Sequence, residues 1–124
     1  MDICIDFDGT CVTHDYPKIG TEIGAVPVLA KLVSKGHRLI LWTMRSGKEE
    51  DDARMWFEMH GIPLYSIGVN PEQKEWTTSN KAYAQIYIDD AALGAPLKTN
   101  KKISNRPFIN WEKVTTMLHE KGIL

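Results

Sequence analysis

The chain has 124 residues, 43% hydrophobic and 25% charged, a size and balance that suit one globular domain and leave no room for a second. Fifteen basic and sixteen acidic side chains give a net charge of −1, so no basic excess exists to hold duplex DNA by counterion release. No apolar run reaches the roughly 20 residues of a membrane helix, and the N-terminus does not read as a signal peptide.

Ile3–Phe7 is a short apolar run interrupted by Asp6, the pattern of a strand buried on both faces. Cys4 within it reads as a small buried hydrophobe and Cys11 as a packed free thiol. Without a Cys-x-x-Cys pair or a Cys/His cluster, zinc is not expected, and the reducing cytoplasm is the expected compartment. Residues 22–35 place Ile23, Val26, Leu29 or Ala30, and Val33 on one helical stripe, with Gly36 as the stop. Arg38–Thr43 predicts a second strand. Ser46 is placed to cap a helix whose first turns carry Glu49 to Asp52, and Gly61-Ile62-Pro63 ends it. Residues 64–69 predict a third strand, and 70–81 a polar loop with a helical turn near Lys81. Residues 85–89 predict a fourth strand, and Asn110 a cap for a last helix bearing Trp111, Val114 and Leu118.

Alternating strands and helices predict a three-layer, Rossmann-like α/β domain, a parallel sheet flanked by helices. Right-handed crossovers bring the strand C-terminal ends to one edge, where such sheets bind ligands. Three predicted strands end in polar groups suited to phosphate and metal: Asp6 and Asp8, Thr43 and Arg45, Asp89 and Asp90.

Asp6-Phe7-Asp8-Gly9-Thr10 carries the strongest signal. Gly9 lets the chain turn and approach a ligand closely, and such a turn aims backbone N–H groups at an anion. The plainer reading is an Asp-Gly turn with a capping Asp. Asp-x-Asp-Gly-Thr after an N-terminal apolar strand resembles the first motif of haloacid dehalogenase (HAD) superfamily phosphatases, and the further motifs follow in order from about Ile3 to Leu93. The resemblance implies that Asp6 attacks phosphorus and that Asp8 serves as general acid and base. It implies that Thr43 and the Met44 N–H bind phosphoryl oxygens beside Gly9 and Thr10, and that Lys81, in preference to Lys74, offsets phosphate charge. Arg45 is either a substrate arm or a solvated charge. Mg²⁺ is the implied cofactor, held by Asp6, the Asp8 carbonyl and one of Asp89 or Asp90, with Asp89 preferred. Oxygen donors of this kind suit a hard cation.

HAD enzymes often carry a cap domain over the site. Residues 11–42 here hold only a flap, at 11–20, and one helix, so a capless member is implied. An open site admits small phosphorylated molecules or nucleic-acid ends, unless an oligomeric partner closes it. His14, in the flap, reads as a solvated loop histidine before a substrate contact, and Trp76 as a residue at the site mouth. The expected function is phosphomonoester hydrolysis through a phospho-aspartate, with phosphotransfer open to the same chemistry. Two alternatives stand beside it: a receiver-like phospho-switch, whose motif order differs, and a catalytically inactive HAD fold kept as an interaction module.

Overall fold

Ile3, Cys4 and Ile5, like Leu39, Ile40 and Leu41, are apolar at every position, and a segment of that kind is stable only with both faces covered. In the computed structural model, which describes residues 1–124, these segments are the two central strands of a parallel sheet, β1 (Asp2–Ile5) and β2 (Arg38–Leu41). Two shorter strands flank them, β3 (Ser66–Ile67) beside β2 and β4 (Ile86–Ile88) beside β1, giving the order β3-β2-β1-β4. All pairings are parallel, so the C-terminal ends gather at one edge.

Three helices pack on the sheet: α1 (Ala25–Ser34), α2 (Gly47–Met59) and α3 (Trp111–Glu120). Their buried faces join Ile3, Ile5, Leu39 and Leu41 in a single core cluster. The opposite face, with Cys4 and Ile40, meets Ala82, Ala84, Trp42 and Tyr65 in a smaller cluster. This corrects the three-layer expectation. The helices share one face, and residues 70–84 cover the other with a single 3₁₀ turn, Gln73–Glu75. That segment holds Asn70, Pro71, Thr77, Thr78, Ser79 and Asn80, which favour turns over helix. It is held instead by buried Gln73, which donates to the Ser79 and Lys81 carbonyls and accepts from the Tyr83 N–H.

The helix ends follow local chemistry in part. Asn110 caps α3 by accepting from the Lys113 N–H at 3.1 Å. Ser46 precedes α2 without a side-chain capping bond, contrary to expectation, and the acids Glu49 and Glu50 complement that helix end by charge. Both cysteines are free and buried. A feature absent from the sequence reading is an antiparallel hairpin of β5 (Leu97–Lys98) and β6 (Phe108–Ile109). It closes on the first motif: the Ile109 N–H donates to the Gly9 carbonyl at 2.9 Å, and the Trp111 indole N–H to the Thr10 carbonyl at 2.7 Å.

Candidate functional site

Asp6 and Asp8 follow β1, with Phe7 between them pointing the other way. Phe7 is fully buried against Trp56 and Phe57, with ring centroids 5.5 and 6.1 Å away. That anchor turns both neighbouring carboxylates toward the open edge of the sheet. There a cleft is lined by Asp6, Asp8, His14, Thr43, Met44, Asp89, Asp90, Ala91 and Arg106. Of the residues singled out in the sequence, the cleft unites Asp6, Asp8, Thr43, Met44, Asp89 and Asp90.

Carboxylate oxygens of Asp6, Asp89 and Asp90 lie within 4.8 Å of one another. Burial, reinforced by the charges of Asp89 and Asp90, pushes the Asp6 carboxyl up to about 8, against the opposing hydrogen bond from Thr10. Three half-buried oxygen donors at this spacing, with no soft ligand among them, fit a hard divalent cation, the class to which Mg²⁺ belongs. Asp90 is tied through one oxygen and its backbone: its Oδ2 lies 2.8 Å from His14 Nε2, and its N–H donates to Thr10 Oγ1 at 3.0 Å. Asp89 has one oxygen occupied, by the Ala91 N–H, and the other open.

Gly9 adopts φ +81°, and a Cβ there would collide with His14 Nε2 and Asp90 Oδ2. Glycine is therefore what lets the His14–Asp90 pair close over the turn. The turn does not use its own N–H groups as an anion nest. Gly9 donates to Val12, and Thr10 and Cys11 donate to Phe7. Thr10 is fully buried, and its hydroxyl donates to Asp6 Oδ2 at 2.8 Å while accepting the Asp90 N–H at 3.0 Å. Gly9 and Thr10, expected as substrate contacts, are instead supports behind the acids. The backbone N–H groups of Asp8 and Met44 have no partner within the chain.

Arg45 corrects a second expectation. Its side chain is 1% exposed and forms a bidentate pair with Asp8, Nε to Oδ2 and Nη2 to Oδ1, both at 2.8 Å. Its remaining donors go to the carbonyls of Pro17, Lys18 and Glu49. All five N–H donors are used, so no arm reaches for substrate. The Arg45 N–H is accepted by Thr43 Oγ1 at 3.1 Å, which leaves the Thr43 proton free to donate outward. Lys81 corrects a third. It is exposed, forms no ion pair, and sets its ammonium 5.3 Å from the Tyr87 ring centroid, outside the acidic cleft. The helical turn expected to present it is absent. Lys74 lies outside the cleft as well, on a separate hollow lined also by Trp42 and Asn70.

Two further residues line the cleft, His14, for which the sequence favours a solvated loop over a substrate contact, and Arg106, which the sequence does not single out. His14 is drawn in by Asp90 and is not a solvated loop histidine. Arg106 comes from the irregular loop between β5 and β6, where no periodicity or motif marks it. Trp76 meets Tyr83 edge to face rather than the cleft.

No protein-family model and no curated protein matches the chain. A solved structure does, that of a conserved protein coded by a locus of Bacteroides thetaiotaomicron. It is 36% identical, covers 98% of this chain and 91% of its own, and superposes with a TM-score of 0.79. The chain belongs to that protein's family. The shared architecture spans β1 to α3 and so includes every element that contributes to the cleft. No helix is long and apolar enough to cross a membrane.

Proposed function

We propose that the chain is a capless, HAD-type phosphohydrolase that cleaves phosphate monoesters through a phospho-aspartate on Asp6. The observation that carries the reading is the gathering of Asp6, Asp8, Thr43, Asp89 and Asp90 around one cleft at the C-terminal edge of a parallel sheet. The motif order of the sequence supports the same assignment.

In the first step an Asp6 oxygen bonds to phosphorus while the ester P–O bond breaks, and Asp8 gives a proton to the departing oxygen. In the second, water attacks phosphorus, the Asp6 O–P bond breaks, and Asp8 takes the proton. The Thr43 hydroxyl and the unpartnered N–H groups of Asp8 and Met44 supply donors for the phosphoryl oxygens. Asp6, the Asp8 carbonyl and Asp89 would hold Mg²⁺, while His14, through the Asp90 carboxylate, and Thr10, through the Asp90 N–H, keep Asp90 in place beside them. When bound, the cation offsets the charge that these carboxylates and a phosphate present to one another.

A second reading, a HAD fold kept as an interaction module, is favoured by one observation: neither Lys81 nor Lys74 lines the cleft. Turnover separates the two. A panel of phosphate monoesters, including sugar phosphates and 3′- and 5′-phosphorylated oligonucleotides, is expected to be hydrolysed with Mg²⁺ and not without it. Asp6→Asn is expected to abolish turnover while leaving the fold intact. Equal activity in that variant would remove Asp6 from its role.

A further inference from the structure

Arg106 stands apart from the other arginines. Arg38, Arg45 and Arg54 each pair with a carboxylate, whereas Arg106 pairs with none although it lines a cleft containing four. Its loop is equally one-sided. Residues 98–106 carry Lys98, Lys101, Lys102 and Arg106 and no acid, in a chain whose overall charge is −1. Lys98 is partly engaged by Glu112 at 3.6 Å, while Lys101 and Lys102 are exposed without ion pairs. The loop is shaped rather than slack. Asn100 accepts from the N–H groups of Lys102, Ile103 and Ser104, Ser104 accepts from that of Arg106, and β5 pairs with β6 at its base.

We infer that this hairpin is a recognition arm for a second phosphate on the substrate, with Arg106 as its principal contact. The inference rests on the phosphohydrolase reading for the first phosphate, which the acids and their cation would take. It adds that the cleft is bipolar. An acidic floor serves the phosphate that reacts, and a cationic rim serves another anionic group on the same molecule. A guanidinium with free donors suits phosphate by forked hydrogen bonding, and the neighbouring lysines add attraction without geometry. A monoester bearing no second charge leaves the rim unused.

The test is equilibrium binding to the whole chain in Mg²⁺, with non-hydrolysable alkane bisphosphonates of graded length against the matching monophosphonates. Wild type is expected to prefer a bisphosphonate of suitable length by about 10- to 100-fold, the range of hydrogen bonds to charged groups. Arg106→Ala is expected to remove that preference, lowering bisphosphonate affinity far more than monophosphonate affinity. Arg106→Lys is expected to keep part of it, in a salt-sensitive form. No preference in wild type, or a preference that survives in Arg106→Ala, overturns the inference. Competition with a sugar bisphosphate and with a 5′-phosphorylated dinucleotide then assigns the second charge to a terminal phosphate or to a phosphodiester. Turnover is read separately. A bisphosphonate preference without hydrolysis of any monoester retains the anion arm and refutes the catalytic reading.

Discussion

Asp8 and Arg45 meet in a two-pronged ion pair, both bonds 2.8 Å long, in which the arginine is sealed from solvent. The pair joins the first motif to the flap, because the same guanidinium holds the Pro17 and Lys18 carbonyls. Both Asp8 oxygens are engaged, so one prong has to open before Asp8 carries a proton toward a leaving group. Asp8→Asn is expected to slow hydrolysis of alkyl phosphates by about 10²- to 10⁴-fold, the usual worth of general acid–base catalysis. It is expected to slow phosphoenzyme formation from p-nitrophenyl phosphate, read as a burst of nitrophenol, far less, since that leaving group departs without a proton, while the second step slows alike for both. Equal loss in the first step on both substrates contradicts the role as acid.

Arg45→Ala removes one partner of a nearly buried pair and leaves three carbonyls without their donor. A cost of about 3 kcal/mol is expected, seen as a fall of roughly 10 °C in Tm by calorimetry. Unchanged Tm would mean that the pair holds nothing together.

Gly9→Ala is expected to fold and to lose activity. The new methyl meets His14 and Asp90, at a φ of +81° that a side chain resists. A destabilisation of about 1–3 kcal/mol is expected, with displacement of His14 visible as a shifted imidazole resonance. A wild-type His14 signal in the variant contradicts the close approach.

The metal-free protein is expected to lose stability as pH rises. Unfolded Asp6 releases its proton near 3.8, while in the folded chain burial beside Asp89 and Asp90 holds it until about 8. Between these values the folded state binds the extra proton, so unfolding free energy falls with pH. Mg²⁺ favours the carboxylate and reverses the trend, adding about 2.7 kcal/mol at 100 times its Kd. Calorimetric scans at pH 5 and pH 8, with and without Mg²⁺, check this. An Asp6→Asn variant that keeps the wild-type slope contradicts it.

Under the proposed phosphohydrolase reading, a catalytic part for Lys81, which lies outside the cleft, depends on its reach. Tyr87, under its ammonium, lies two positions before Asp89 on the same side of the strand, about 6–7 Å along it. The side chain is exposed and forms no ion pair, so only the Tyr87 ring holds it away from a phosphate bound in the cleft. Lys81→Ala is expected to lower kcat about 10²-fold, comparable to the loss of one preorganised charge donor. Wild-type kcat takes Lys81 out of the chemistry.

The acids were legible because their signal is local. Asp6-Phe7-Asp8-Gly9-Thr10 and Asp89-Asp90 each follow a short apolar run, and the runs themselves mark the strands of a parallel sheet. Arg45 was not, since its burial depends on Asp8 and on flap carbonyls distant in the chain. The β5–β6 hairpin has strands of two residues, too short to show a period, so Arg106 had no element to place it. The missing helix layer has a compositional cause: the turn-forming residues of 70–80 cover the second face by side-chain bonds through Gln73. His14 was misread because its partner, Asp90, enters from β4, and only the bare Gly9 between them allows the meeting.

The most direct test is chemical capture of the covalent intermediate. The Mg²⁺-activated protein would be quenched during turnover of a phosphate monoester, reduced with borohydride, digested and sequenced by mass spectrometry. An acyl phosphate on Asp6 is reduced to homoserine, so modification at position 6 alone, dependent on substrate and Mg²⁺, is the predicted result. Turnover with an unmodified position 6, or with the label on another residue, contradicts the account.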